Sequence, residues 1–131
     1  IQPMLYEKQK ANKKEFLTVY SLGNFVSNQR DLRKDGGAMF RCSYKKNKKV
    51  KLKDKEFILT WVYKFSKGNK MHYQVLPCAH KKYNQSYFSS KADYKQMQNY
   101  ITHARALFKR ENKGVSEGRP IPKIHMDKHD V

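Results

Sequence analysis

Few residues in this chain have types and spacing suited to chemistry. Ser21-Leu22-Gly23-Asn24-Phe25 closes an apolar, β-rich run. Gly23 permits a tight turn with positive φ, which would present Asn24 at a strand end. A carboxamide there can both donate and accept hydrogen bonds. Ser21, Gly23 and Asn24 are therefore the candidate site residues. The competing reading is structural, with Asn24 holding its own turn. The second candidate is electrostatic. Residues 45–55 read KKNKKVKLKDK, seven lysines in eleven positions. Lys48, Lys49, Lys51 and Lys53 would form a finger for a polyanion, or else a solvated hairpin whose lysines protect a strand edge.

Other chemistry finds no pattern. His125 and His129 are four apart, as in a helix-borne metal pair, but their segment lacks helical periodicity and a third ligand. His72, His80 and His103 are scattered. Cys42 and Cys78, 36 residues apart, lack zinc-site spacing and read as small buried thiols rather than a disulfide. No Ser-His-Asp order, phosphate-binding glycine loop or paired-carboxylate constellation is present, and the chain supplies no metal site of its own.

The elements that must position these residues follow from hydrophobic period. The 131 residues, 38% apolar and 13% aromatic, suffice for one modest core, whole or as part of a larger domain. The first six residues read as extended, with Pro3 blocking a helix, and residues 7–15 as a loop or helical turn. A buried strand runs from Phe16 to about Ser21, with a turn at Gly23-Asn24. Residues 38–46 alternate apolar and polar as a half-buried strand. The lysine run forms the tip into a third strand, where Phe57, Leu59, Trp61, Tyr63 and Phe65 line one face. The apolar phase moves from even positions (Val50, Leu52) to odd ones, which predicts a β-bulge near Asp54. After a Gly68-Asn69 turn, residues 71–76 alternate again and stop at Pro77. Residues 38–77 thus predict an antiparallel meander. Ser90 with Asp93 three residues on is an N-cap. Behind it Tyr94, Met97, Ile101, Ala104 and Phe108 recur at helical spacing as core packing. Residues 111–131 read as a surface-following or frayed tail.

Several segments resemble one family. Tyr20-Ser21-Leu22-Gly23-Asn24-Phe25-Val26, with Ile1-Gln2-Pro3 before it, is similar to the signature of the CapA capsule-synthesis proteins, also called poly-γ-glutamate synthesis proteins. Asp35-Gly36-Gly37-Ala38-Met39-Phe40, Thr60-Trp61-Val62-Tyr63 and Tyr73-Gln74-Val75-Leu76-Pro77 match in the same order. The resemblance covers residues 1–110. It implies an α+β fold in which the meander and helix form part of a two-sheet, metallophosphatase-like sandwich, with residues 111–131 as a tail. It also implies a cell-envelope protein that acts on or anchors an extracellular anionic polymer. The family's His-Pro-His metal segment belongs just before the Ile1 position. A divalent metal is therefore implied for the intact parent, with its ligands on a missing N-terminal half, and the resemblance would set Ser21, Gly23 and Asn24 beside that metal or against the substrate. Without that half, the chain is expected to be inactive and to self-associate through exposed apolar faces.

The net charge of +18, from 29 Lys and Arg against 11 Asp and Glu, sustains the alternative of a polyanion- or nucleic-acid-binding module. In that reading Arg30, Arg33 and Arg41 join the lysine finger, and Tyr44, Tyr63 and Tyr83 stack on bases. The tyrosines fall in alternating strands, which indicates core, and no nucleic-acid-binding signature is present.

Overall fold

The computed structural model describes residues 1–31, 34–78 and 83–119. The fold is α+β. Strands β1 (Met4–Lys8) and β2 (Glu15–Val19) form a two-stranded antiparallel sheet. Strands β3 (Gly36–Lys46), β4 (Val50–Lys67) and β5 (Lys70–Pro77) form the expected antiparallel meander. After a single 3-10 turn at Gln85–Tyr87 comes helix α1 (Lys91–Glu111). The short β6 (Ser116–Glu117) then pairs in parallel with β4 at Glu56 and Phe57.

The core lies between the odd-numbered face of β4 and one stripe of α1. Phe57, Leu59, Trp61 and Tyr63 are buried there against Met97, Tyr100, Ile101, Ala104 and Phe108. Phe57 and Phe108 meet edge to face, their ring centroids 4.6 Å apart. Large apolar side chains such as Phe57, Leu59 and Met97 each contribute about 1.5–3 kcal/mol on burial. The helix starts where its sequence says it should: Ser90 Oγ accepts the Asp93 amide at 3.1 Å. It ends at Asn112, whose Oδ1 accepts the Met4 amide at 2.8 Å and so ties β1 to the helix terminus. Ile58, Thr60 and Val62, on the opposite face of β4, are buried as well.

The bulge stands where the phase change puts it. Pairing steps from Cys42↔Lys55 to Tyr44↔Leu52, which leaves one extra residue on β4 around Lys53 and Asp54. Ser43 Oγ donates to Asp54 Oδ2 at 2.6 Å across it.

Three expectations need correction. Residues 7–15 are not wholly a loop: Glu7, Lys8 and Glu15 belong to strands, and the turn covers 9–14, with Lys13 at φ +57°. The run from Phe16 onward is not a buried strand. β2 ends at Val19 and has β1 on one side only, so Phe16, Tyr20, Leu22, Phe25 and Val26 remain exposed. The beginning of the tail is stitched to the body, because Lys113 bridges Leu5 and β6 joins β4. Residues 120–131 of the tail, with His125 and His129, lie outside the described residues, as do Arg33 and His80.

Candidate functional site

Segments distant in sequence meet at one corner of the molecule. The Gln2 amide donates to the Ser21 carbonyl at 2.9 Å, and the Tyr20 amide to the Pro3 carbonyl at 3.3 Å. The next turn is built on Gly23, whose φ of +77° suits glycine above other residues. From there the Asn24 amide reaches the Gly36 carbonyl (3.1 Å) and the Ala38 amide reaches the Leu22 carbonyl (2.7 Å), so residues 21–25 run beside the start of β3. A side chain at Gly37 would place its Cβ 2.5 Å from the Asn24 carbonyl oxygen, and only glycine allows this approach. One strand further in, the Val62 amide donates to the Asp35 carbonyl at 3.2 Å.

Buried polar groups fix this corner to the core. Asp35 is fully buried, and its Oδ2 accepts from Trp61 Nε1 at 2.8 Å and from Gln96 Nε2 at 3.0 Å. Gln96 Nε2 also reaches the Arg30 carbonyl, and Arg30 Nη1 donates to the Val62 carbonyl at 2.8 Å. The Tyr100 hydroxyl donates to the Gly37 carbonyl at 2.6 Å, and burial raises its pKa above the ordinary tyrosine value. Buried polar groups without such partners would cost about 1–3 kcal/mol each.

Asn24 is not presented outward as expected. It is 9% exposed. Its Nδ2 donates to the Lys34 carbonyl at 3.0 Å and to the Ser27 carbonyl at 3.4 Å, while its Oδ1 accepts the Ser27 amide at 2.8 Å. The carboxamide is spent on closing its own loop, because the loop's backbone groups need partners once buried. Ser21 Oγ accepts the Gly23 amide at 3.3 Å. Ser21, Gly23 and Asn24 do line one shallow cleft of about 470 Å³, together with Ile1, Phe25 and Lys34. Among the described residues no three His, Cys, Asp or Glu side chains gather as metal ligands.

The lysine finger sits elsewhere. Lys48, Lys49, Lys51 and Lys53 are exposed on the β3–β4 hairpin. That tip lies at the far end of β3 from Gly37, about 30 Å away at strand rise. Of the other basic and aromatic candidates, Tyr44 shares this hairpin, whereas Arg41, Tyr63 and Tyr83 are not free to join it. Arg41 is paired with Glu56, and Tyr63 and Tyr83 are buried, while Tyr44 is exposed. His72 stacks on Phe65 at 5.4 Å. Both cysteines are free, and burial pushes the Cys78 thiol up to about 12.

Sequence reasoning passed over Asp35 and Gln96. An aspartate directly before Gly36-Gly37 was a usable signal for a buried strand-start carboxylate. Gln96, one polar residue in a helix rich in them, carried none. No family model, curated protein or solved structure matches the chain.

Proposed function

We propose that this chain is the closing part of a capsule-synthesis protein with a metallophosphatase-like, two-sheet fold. The parent acts on or anchors an extracellular anionic polymer at the cell envelope. The observation that carries this reading is the convergence just described. Ile1-Gln2-Pro3, residues 21–25 and residues 35–38 are segments that resemble the capsule family, and they bond to one another at one corner, with residues 60–63 beside them. The exposed Tyr20, Leu22, Phe25 and Val26 at that corner support a further layer of protein there. In this reading the layer is the ligand-bearing half of the parent domain. An isolated chain would bury the same face in a second copy, seen as a dimer by light scattering.

In this reading the divalent metal implied for the parent takes its ligands from the missing half. The Asn24 carboxamide is committed to Ser27 and Lys34, so it does not fit a coordination shell. Its part is to set the loop shape and to wall the cleft. The nucleic-acid alternative is weakened, since Tyr63 and Tyr83 lie in the core and Arg41 is ion-paired.

The test is genetic and quantitative. Deleting the gene should abolish the surface anionic polymer of the producing cell. The intact gene should restore it, whereas a Gly37→Val version made in equal amount should not. Unchanged polymer after deletion would overturn the reading.

A further inference from the structure

The outer end of the β3–β4 hairpin has two unlike faces. Tyr44 pairs with Leu52 and Lys46 with Val50, so these four side chains share one face. Along β3 that face continues Ala38, Phe40 and Cys42, the side turned toward α1. Beyond the helix the same face goes on uncovered, with Tyr44 66% and Val50 59% exposed. Lys45 and Lys51, also paired, point to the other side, and Lys48 and Lys49 occupy the turn.

A second basic hairpin lies alongside. Glu15, at the foot of the β1–β2 turn, accepts the Leu52 amide at 3.4 Å through Oε2 and the Tyr6 hydroxyl at 2.9 Å through Oε1. Lys55 Nζ stands 4.1 Å from the centre of the Tyr6 ring. Lys8, Lys10, Lys13 and Lys14 of that turn therefore adjoin the lysines of residues 45–55. Glu15 and Asp54 keep their negative charge, held ionised by hydrogen bonds from Tyr6 and Leu52 and from Ser43, but the lysines of the two hairpins outnumber them and leave the surface strongly positive.

We propose that the adjoining hairpin tips dock on an anionic lipid surface. Tyr44, Val50 and Leu52 enter the boundary between headgroups and acyl chains, and lysines of both hairpins lie over headgroup phosphates. Charge complementarity selects a polyanionic partner, and the exposed apolar face selects a bilayer among polyanions. A soluble polyanion gains nothing from Tyr44 and Val50, whereas a membrane interface accepts both. The tips carry lysine and no arginine. This suits a diffuse field of headgroups better than the fixed, bidentate contacts of a specific phosphate site. The inference stands on the hairpins and is independent of the capsule reading.

The test is co-sedimentation of the full chain with vesicles of phosphatidylcholine alone or mixed in equal parts with phosphatidylglycerol, and titration with inorganic polyphosphate in parallel. Binding should require phosphatidylglycerol and fall with added salt. Replacing Lys48, Lys49, Lys51 and Lys53 by Gln should weaken vesicle binding by about 1,000-fold. The Tyr44→Ser, Val50→Ser pair should weaken it by about tenfold and leave polyphosphate binding unchanged. A Val50→Trp chain reads insertion directly, as a blue shift of emission with the mixed vesicles and none with polyphosphate. Equal binding to both vesicle types would overturn the proposal. So would a Tyr44→Ser, Val50→Ser chain that binds mixed vesicles undiminished, or a Val50→Trp chain without the shift; the surface would then serve soluble polyanions only.

Discussion

One strand lives two lives. The inner half of β4, from Phe57 to Tyr63, is buried on both faces, while the outer half, from Val50 to Lys53, is almost wholly solvated. The inner half is a nearly continuous apolar run and the outer half alternates Val50, Lys51, Leu52 and Lys53, yet both pair with β3 and both set apolar side chains on the same face. An apolar side chain on that face is therefore not enough for burial. Cover decides it: the inner half has α1 across it, and the outer half runs past the helix. The bulge at Lys53 and Asp54 marks the border and keeps Tyr44, Leu52 and Val50 on the core's own side after the register slips. Polar groups divide the same way. Within the inner half, Trp61 answers a buried carboxylate; around the outer half, a field of lysines meets few acids.

The sharpest way to break this comparison is to truncate each half. Trp61→Ala removes the largest buried side chain and one of the two donors to Asp35 Oδ2. It should cost about 3–5 kcal/mol in urea unfolding. Val50→Ala, on the same strand, should stay within about 0.5 kcal/mol. Losses of similar size would mean that the outer half is covered after all.

A smaller effect tests how the inner half holds the motif corner. In Gly37→Ala the new methyl would meet the Asn24 and Leu22 carbonyl oxygens at 2.5 and 2.7 Å, and backbone cannot swing aside as a side-chain tip can. The expected cost is about 1–3 kcal/mol. Residues 21–25 should be pushed from β3, and faster hydrogen exchange at the Ala38 amide would report it. Lys51→Ala, out on the hairpin, should leave that amide unchanged.

What the sequence disclosed follows the same division between local and distant causes. The meander, the bulge and the Ser90 cap were legible because each is written in neighbouring residues: a period of two, a phase change, a hydroxyl three places before its amide. The β1–β2 hairpin was not. Its strands are short, its turn is lysine-rich, and its hold on the body comes from Asn112 and Lys113 at the far end of the chain. The site was half legible. Ser21, Gly23 and Asn24 do sit together, and Gly23 does take positive φ. Yet the direction of the Asn24 carboxamide depends on the Lys34 carbonyl, and the burial of Asp35 on donors 26 and 61 residues away. No local pattern encodes those distances.

The subtlest test concerns the join between the two hairpins, in which the Glu15 carboxylate works beside the Lys55 contact on the Tyr6 ring. Hydrogen bonds from the Tyr6 hydroxyl and the Leu52 amide, with Lys8 and Lys55 nearby, hold Glu15 below its ordinary 4.5. A carboxylate whose folded pKa is depressed stabilises the fold fully above its unfolded value and loses that contribution as pH falls through the folded one. The join should thus be intact at neutral pH and loosen in acid below about pH 4.5. The Leu52 amide resonance should titrate there with an apparent pKa below that of a free glutamate. In Glu15→Gln the acid titration should vanish, because the amide oxygen can still accept from Leu52 but carries no charge to lose. A Leu52 amide indifferent to pH in the unaltered chain would sever the two hairpins and confine the lysine surface to the β3–β4 tip alone.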